Sequence, residues 1–151
     1  MSAPRFRFDR ETVGEDLALM PFDARYRLDL AGIKLSLVAW QALPFATRVS
    51  LCEHPIASRE DIAAFAARVD EAVTAVGQSA PRIEPAPTPH PWAGDDALTA
   101  LIARASELGI TVRAERWSAL DDEQRYVLAK ASGKGKRDER LRAALTELGL
   151  A

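Results

Sequence analysis

A mostly α-helical fold, two repeated helix–turn–helix units packed as one compact domain over residues 1–151, is what the sequence predicts. Three observations carry that prediction. Apolar residues recur three and four positions apart through much of the chain, the period of a helix with one buried face. Start and stop signals flank those stretches. The segment "GIKLSLVAWQAL" (Gly32 to Leu43) also returns, loosely, as "GITVRAERWSAL" (Gly109 to Leu120).

Taken in order, "RFRF" (Arg5 to Phe8) alternates and suggests a short strand near the start. "FDARYRLDL" (Phe22 to Leu30) also alternates, yet its repeat partner Thr99–Glu107 is strongly helical. Pro21 suits a helix start and Gly32 a helix end, so a helix is expected there. Ser58 and Asp61 form an acidic variant of a capping box. They precede a stripe of Ile62, Phe65, Ala66, Val69, Val73 and Val76, with Gly77 placed as a C′ residue. Residues 78–92 hold five of the nine prolines and should form an extended strap, with Ile83 and Trp92 laid against the protein. The strap joins repeat halves of about 16–77 and 93–149. Asp95 or Asp96 is expected to cap a helix bearing Leu98, Leu101, Ile102, Ala105 and Leu108. "DDEQRYVLAKAS" has acids in its first turn and Lys130 near its end, matching the helix dipole. "GKGK" (Gly133 to Lys136) reads as a loop, and Leu141, Ala144, Leu145 and Leu148 as the face of a last helix ending at Gly149.

At an offset of 77 residues, 32–51 and 109–128 share seven identities in twenty positions. The shared core is Gly32, Ile33, Trp40, Leu43 and Arg48, matched by Gly109, Ile110, Trp117, Leu120 and Arg125. Such a repeat implies two related supersecondary units. In each, a helix ends at the glycine, a triplet runs extended, and a short helix carries the tryptophan. The extended triplets allow very short β pairing between the repeat turns. Ser36 is placed to cap the first short helix; Arg113 stands there in the second, which should be capped less well. Arg48 and Arg125 follow their tryptophans by eight residues, in reach for cation–π stacking.

Composition excludes several function classes. Twenty basic residues against twenty-two acidic ones give no field to gather nucleic acid. No run of 18 apolar residues spans a membrane, and no signal-peptide run follows the basic start. With one cysteine, Cys52, an intramolecular disulfide is impossible; a reducing, cytoplasmic location is expected. If the repeats were calcium-binding hands, their ligand slots would be Leu28, Leu30, Gly32, Ala39, Ala105, Glu107, Gly109 and Arg116, only one of them acidic. Cys52, His54 and His90 make a poor zinc set. No nucleotide-binding, hydrolase or metalloprotease motif is present. The expectation is a chain without catalytic residues, cofactor or metal.

"RYRLDLAGIKLSLVAW", followed by Leu43 and Arg48, resembles the nitrate-reductase-associated protein family, small bacterial proteins encoded beside assimilatory nitrate reductase. The resemblance extends to Phe6, Phe8 and Asp9, to Pro91–Trp92 after the strap, to the second W-x-x-L with its arginine, and to "ALTELGL". "KASGKGKRD" departs from the family pattern: it keeps Lys130 and Ser132 and lacks a proline and a histidine. The resemblance implies a non-enzymatic accessory or maturation role, with nitrate reductase or its molybdenum-cofactor machinery as the partner. Candidate partner contacts are Arg25, Arg27, Asp29, Lys34, His90 and Trp92. The alternative is a carrier of an anion or small cofactor, held by helix N-termini together with residues such as Arg27, Lys34, Arg48 or Arg125.

Overall fold

The computed structural model describes residues 3–133 and 138–151, and among these it is helical, with no strand of a sheet. The helices are α1 (Arg7–Val13), α2 (Phe22–Ala31), α3 (Leu37–Ala42), α4 (Phe45–Glu53), α5 (Arg59–Ala75), α6 (Asp95–Glu107), α7 (Asp122–Ala131) and α8 (Asp138–Glu147), with a 3-10 helix at Ala114–Ala119. The chain divides into two compact units, Met1–Ala86 and Pro87–Ala151, and the division falls inside the strap. The loop expected at Gly133–Lys136 lies, beyond Gly133, outside the described residues.

In the first unit α2 packs against α4 and α5. The core is Leu28, Ile33, Trp40, Leu43, Leu51, Phe65, Val69 and Val73 with their neighbours, so the apolar stripe of α5 is buried as its spacing requires. The helix expected at Phe22–Leu30 is present despite its alternating pattern. Tertiary packing and the Pro21 and Gly32 boundaries override the period-two signal, because α2 is buried around much of its circumference (Phe22, Asp23, Ala24, Tyr26, Leu28).

The strand expected at Arg5–Phe8 is instead the start of α1, with Phe6 as its N-cap residue. Phe6 and Phe8 are both buried, their ring centroids 6.1 Å apart, and Phe8 lies 6.0 Å from Phe22. Two buried carboxylates fasten this corner. Asp9 Oδ2 accepts the N–H of Phe22 at 2.7 Å, capping α2 from α1. Asp23 Oδ2 accepts the N–H of Arg5 at 3.0 Å, just ahead of α1.

The strap meets the first repeat turn through backbone. Lys34 N–H donates to Pro81 O at 2.8 Å, Ile83 N–H to Gly32 O at 2.8 Å, and Ala86 N–H to Asp29 O at 3.0 Å. The bridge formed by Ile33 is with Arg82. The β pairing allowed between the repeat turns is therefore, for this turn, pairing with the strap, whose prolines leave carbonyls free to accept. Ile83 does not anchor by its side chain, which is 46% exposed; Trp92 is buried.

In the second unit α7 packs against α8 and α6, and α6 against the 3-10 helix. Leu101, Tyr126, Val127, Leu128, Leu141, Leu145 and Leu150 are buried. Neither Asp95 nor Asp96 caps α6: Gly94 is the N-cap residue, and Asp95 sits one position inside. Asp121 caps α7 in a full capping box with Gln124. The extended backbone after Gly109 is held within its own unit, Arg113 N–H donating to Leu150 O at 2.8 Å.

The caps behave as their residues require. Ser36 Oγ accepts from Ala39 N–H at 3.1 Å, and α3 is a true α-helix. Arg113 provides no side-chain cap, and the segment after it tightens to 3-10 geometry. Ser58 Oγ likewise accepts from Asp61 N–H.

Candidate functional site

Four candidate residues lie along α2 and on the turn after it. Arg27 is half-buried and spent on backbone: Nε donates to His54 O at 2.8 Å and Nη1 to Asp23 O at 3.0 Å. The first bond ties α2 to the end of α4. Arg25 lies over the Phe22 ring, 5.6 Å from its centroid. The Asp29 carbonyl accepts from Gly32 and from the strap at Ala86. Lys34 is exposed.

The other two candidates, in the second unit, come together on one carboxylate. Asp122, the first residue of α7, accepts Trp92 Nε1–H through Oδ1 at 3.0 Å and faces His90 Nδ1 through Oδ2 at 3.0 Å. The His90 and Trp92 rings lie 4.6 Å apart, Trp92 stands edge-on to Tyr126 at 4.9 Å, and Lys130 Nζ sits 5.5 Å over Tyr126. Asp122 thus clamps the end of the strap to α7. Sequence reading treated it only as a first-turn acid; its position five residues after Trp117, at the start of a helix, gave no sign of two aromatic partners.

The shared arginines do the same work in both units. Arg48 Nη1 donates to Asp16 O at 2.7 Å, and Arg125 Nη1 donates to Ala93 O at 3.1 Å, each 32 residues upstream. Arg48 also donates to Leu43 O and Gln41 O, and Arg125 to Trp117 O. The expected stacking forms only once: Arg125 lies 5.1 Å over Trp117. Arg48 instead fans its nitrogens over carbonyls, and buried Trp40 uses its Nε1–H on Leu17 O at 2.7 Å. Around the glycines, Ile33 N–H returns to Leu28 O and Ile110 N–H to Ala105 O, both at 3.0 Å. The Arg48–Asp16 and Ile33–Leu28 bonds match Arg125–Ala93 and Ile110–Ala105 at the offset of 77; the remaining arginine and tryptophan contacts differ between the units.

Beside Arg27 the first unit holds an ionisable cluster that sequence reading missed. Burial pushes the Asp23 carboxyl up from its ordinary value, reinforced by the negative charge of Asp9 and opposed by the N–H groups of Arg5 and Asp23 and by Arg27. Its Oδ1 is buried without a hydrogen-bond partner. Cys52 is buried too; burial first, then Asp23, raises its thiol far above the usual range. His54 sets its ring against Phe65 at 5.5 Å. Among the described residues no three of His, Cys, Asp and Glu converge as metal ligands, and no helix is long and apolar enough to cross a membrane.

These features define an all-helical protein in which the motif arginines Arg27, Arg48 and Arg125 are fastened to the chain's own carbonyls. The chain belongs to the conserved nitrate reductase-associated protein family, whose model matches residues 5–148. No curated protein and no solved structure matches it.

Proposed function

We propose that this chain is a non-enzymatic, cytoplasmic accessory protein that binds assimilatory nitrate reductase, or the machinery that loads its molybdenum cofactor, through protein–protein contact. The observation that carries this reading is the family match over nearly the whole chain, which ties it to nitrate reductase by association. The disposition of the cations supports binding over anion carriage. Arg27, Arg48 and Arg125 donate to backbone carbonyls of His54, Asp16 and Ala93, so these N–H groups have acceptors inside the protein, while Arg125 Nε is buried without one.

Co-elution of the purified protein with cofactor-free and cofactor-loaded nitrate reductase tests the reading. Preferential binding to the cofactor-free form is expected of a maturation factor; equal binding to both forms marks a stable subunit. Absence of binding to either form, together with a melting shift in nitrate, molybdate or pterin cofactor, overturns the proposal in favour of a carrier.

A further inference from the structure

Asp23 is a buried carboxyl whose hydrogen bonding the fold leaves incomplete. It is 4% exposed; Oδ2 accepts the Arg5 N–H at 3.0 Å, while Oδ1 is buried with no hydrogen-bond partner. An ionised carboxylate placed there keeps one oxygen from water without replacing the lost bonds, which is costly. The charges acting on it are opposed. Asp9 adds a negative charge from α1, and Arg27, four residues on in α2 with Nη1 on the Asp23 carbonyl, adds a positive one. The Arg5 N–H favours the ionised form, but burial outweighs it.

The chain laid against Asp23 is a short piece outside any helix. Residues 3–5 precede α1, with Pro4 buried. Ala3 N–H donates to Glu53 Oε2 at 3.2 Å, Arg5 N–H to Asp23 Oδ2, and Arg10 Nε to Pro4 O at 2.7 Å. Ala3 also packs against the core cluster that contains Cys52. Cys52 adjoins Glu53 in α4, and the charge of Asp23 acts on its thiol. The segment therefore runs from the end of α4 to the start of α2, the two places that hold Cys52 and Asp23. Non-helical chain of this kind opens at a lower free energy than the packed helices beneath it.

We propose that residues 3–5 are a proton-coupled lid, closed over a neutral Asp23 and lifted when Asp23 gives up its proton, which presents that carboxylate and the Cys52 thiol to solvent together. The device operates whichever partner the protein binds. Its sign follows from hydration. In the closed form the carboxyl keeps its proton to higher pH than in the open form, where Oδ1 meets water. Closure is thus complete below the ordinary value of 3.8 and weakens as pH rises through the closed-state value. One proton sets the limit of that change at about tenfold per pH unit.

The test follows reaction of Cys52 with dithiodipyridine, a thiol reagent that works in acid, from about pH 4 to about 7 in wild type and in Asp23→Asn. Each rate is divided by that of the urea-unfolded chain at the same pH, which removes the thiol's own ionisation. Rates are also taken in low urea, because lifting three residues exposes little surface and global unfolding exposes much. In wild type the normalised rate should climb several-fold with pH and be insensitive to low urea. Asp23→Asn, with no proton to lose, should give a flat profile. Labelling that follows global unfolding in its urea dependence overturns the lid. A flat or falling profile in wild type, or an equal climb in Asp23→Asn, overturns the role of Asp23 and the proposal with it. If Asp23→Asn does not fold, hydrogen exchange at the Arg5 amide of wild type decides. Protection that declines over the same interval without urea dependence upholds the lid; constant or urea-dependent protection overturns it.

Discussion

Gly32 is the point where the strap and the first repeat turn are locked together, and replacing it with alanine isolates that lock. Its φ of +70° lies in the left-handed region, which costs an L-residue roughly 1–2 kcal/mol. A Cβ there would also sit 2.7 Å from Ile83 O and 2.9 Å from Pro85 N. Both atoms are backbone, so no side-chain rotation relieves the clash and the strap must move away. That movement endangers three hydrogen bonds, from Lys34, Ile83 and Ala86, each contributing about 0.5–1.5 kcal/mol. The expected loss is about 3–5 kcal/mol. Gly77 supplies the control within the same unit: its φ is +72°, yet nothing lies within 4 Å of an added Cβ. Gly77→Ala should therefore cost only the roughly 1–2 kcal/mol of the backbone conformation. Urea denaturation of both variants, followed by helical circular dichroism, measures the difference. Trypsin cleavage after Arg82 should accelerate in Gly32→Ala alone, because that residue sits in the displaced strap. Equal destabilisation by the two substitutions, or an unchanged cleavage rate at Arg82, refutes the lock.

The remaining predictions separate structural from exposed ionisable groups. Arg27→Ala should destabilise by about 1–3 kcal/mol, because charge-assisted bonds to His54 and Asp23 carbonyls are lost. Lys34→Ala, at an exposed position, should change stability by less than about 0.5 kcal/mol; the reverse order in thermal or urea midpoints contradicts the geometry. Asp23 is held above its ordinary value of 3.8 in the folded chain, so the folded state retains its proton to higher pH than the unfolded one. Its contribution to stability is fully present below 3.8 and is lost as pH rises through the folded value. Stability of wild type relative to Asp23→Asn should accordingly fall between pH 4 and 7, and a rise over that interval defeats the assignment. Burial keeps Cys52 a neutral thiol, so iodoacetamide should label it at pH 8 only as fast as the protein opens; labelling of the native state at the rate of a free thiol contradicts this.

Helix positions were legible because their signals are local. Ser58 with Asp61 and the α5 stripe identify one helix without reference to anything distant, and Ser36 against Arg113 tells which of the two short helices has a side-chain cap. The misreadings came where a distant partner decides. "RFRF" alternates, but Phe6 and Phe8 find their neighbours around α1 and at Phe22, and Asp9 caps a helix 13 residues away. Ile83 looked like the strap's anchor because it is apolar, whereas the strap is held by N–H and C=O groups that every residue possesses and no sequence pattern advertises. The clamp on Asp122 was hidden for the same reason: His90 and Trp92 precede it by about thirty residues, and only folding puts them on one carboxylate.

What recurs at the offset of 77 is scaffolding. Arg48 and Arg125 hold carbonyls of residues 16 and 93, Gly32 and Gly109 end helices with left-handed backbone, and Trp40 and Trp117 are both buried. A residue needed identically by both units is explained by folding, and its presence in both says nothing about a partner. Information about partners must lie where the two stretches differ while the backbone does the same thing. Two pairs illustrate that condition, and a third shows its opposite. Ser36 and Arg113 differ, and the difference is absorbed by the choice between α and 3-10 geometry. Leu51 and Leu128 are the same and buried, which closes that position. Phe45 and Asp122 differ most: one is an exposed aromatic ring, the other an acid engaged by the strap. Folding accounts for Asp122 through its two aromatic partners, and it gives Phe45 no comparable role. That asymmetry is local to the start of one helix, whereas the arginines that first draw attention in the sequence hold backbone carbonyls in both units alike.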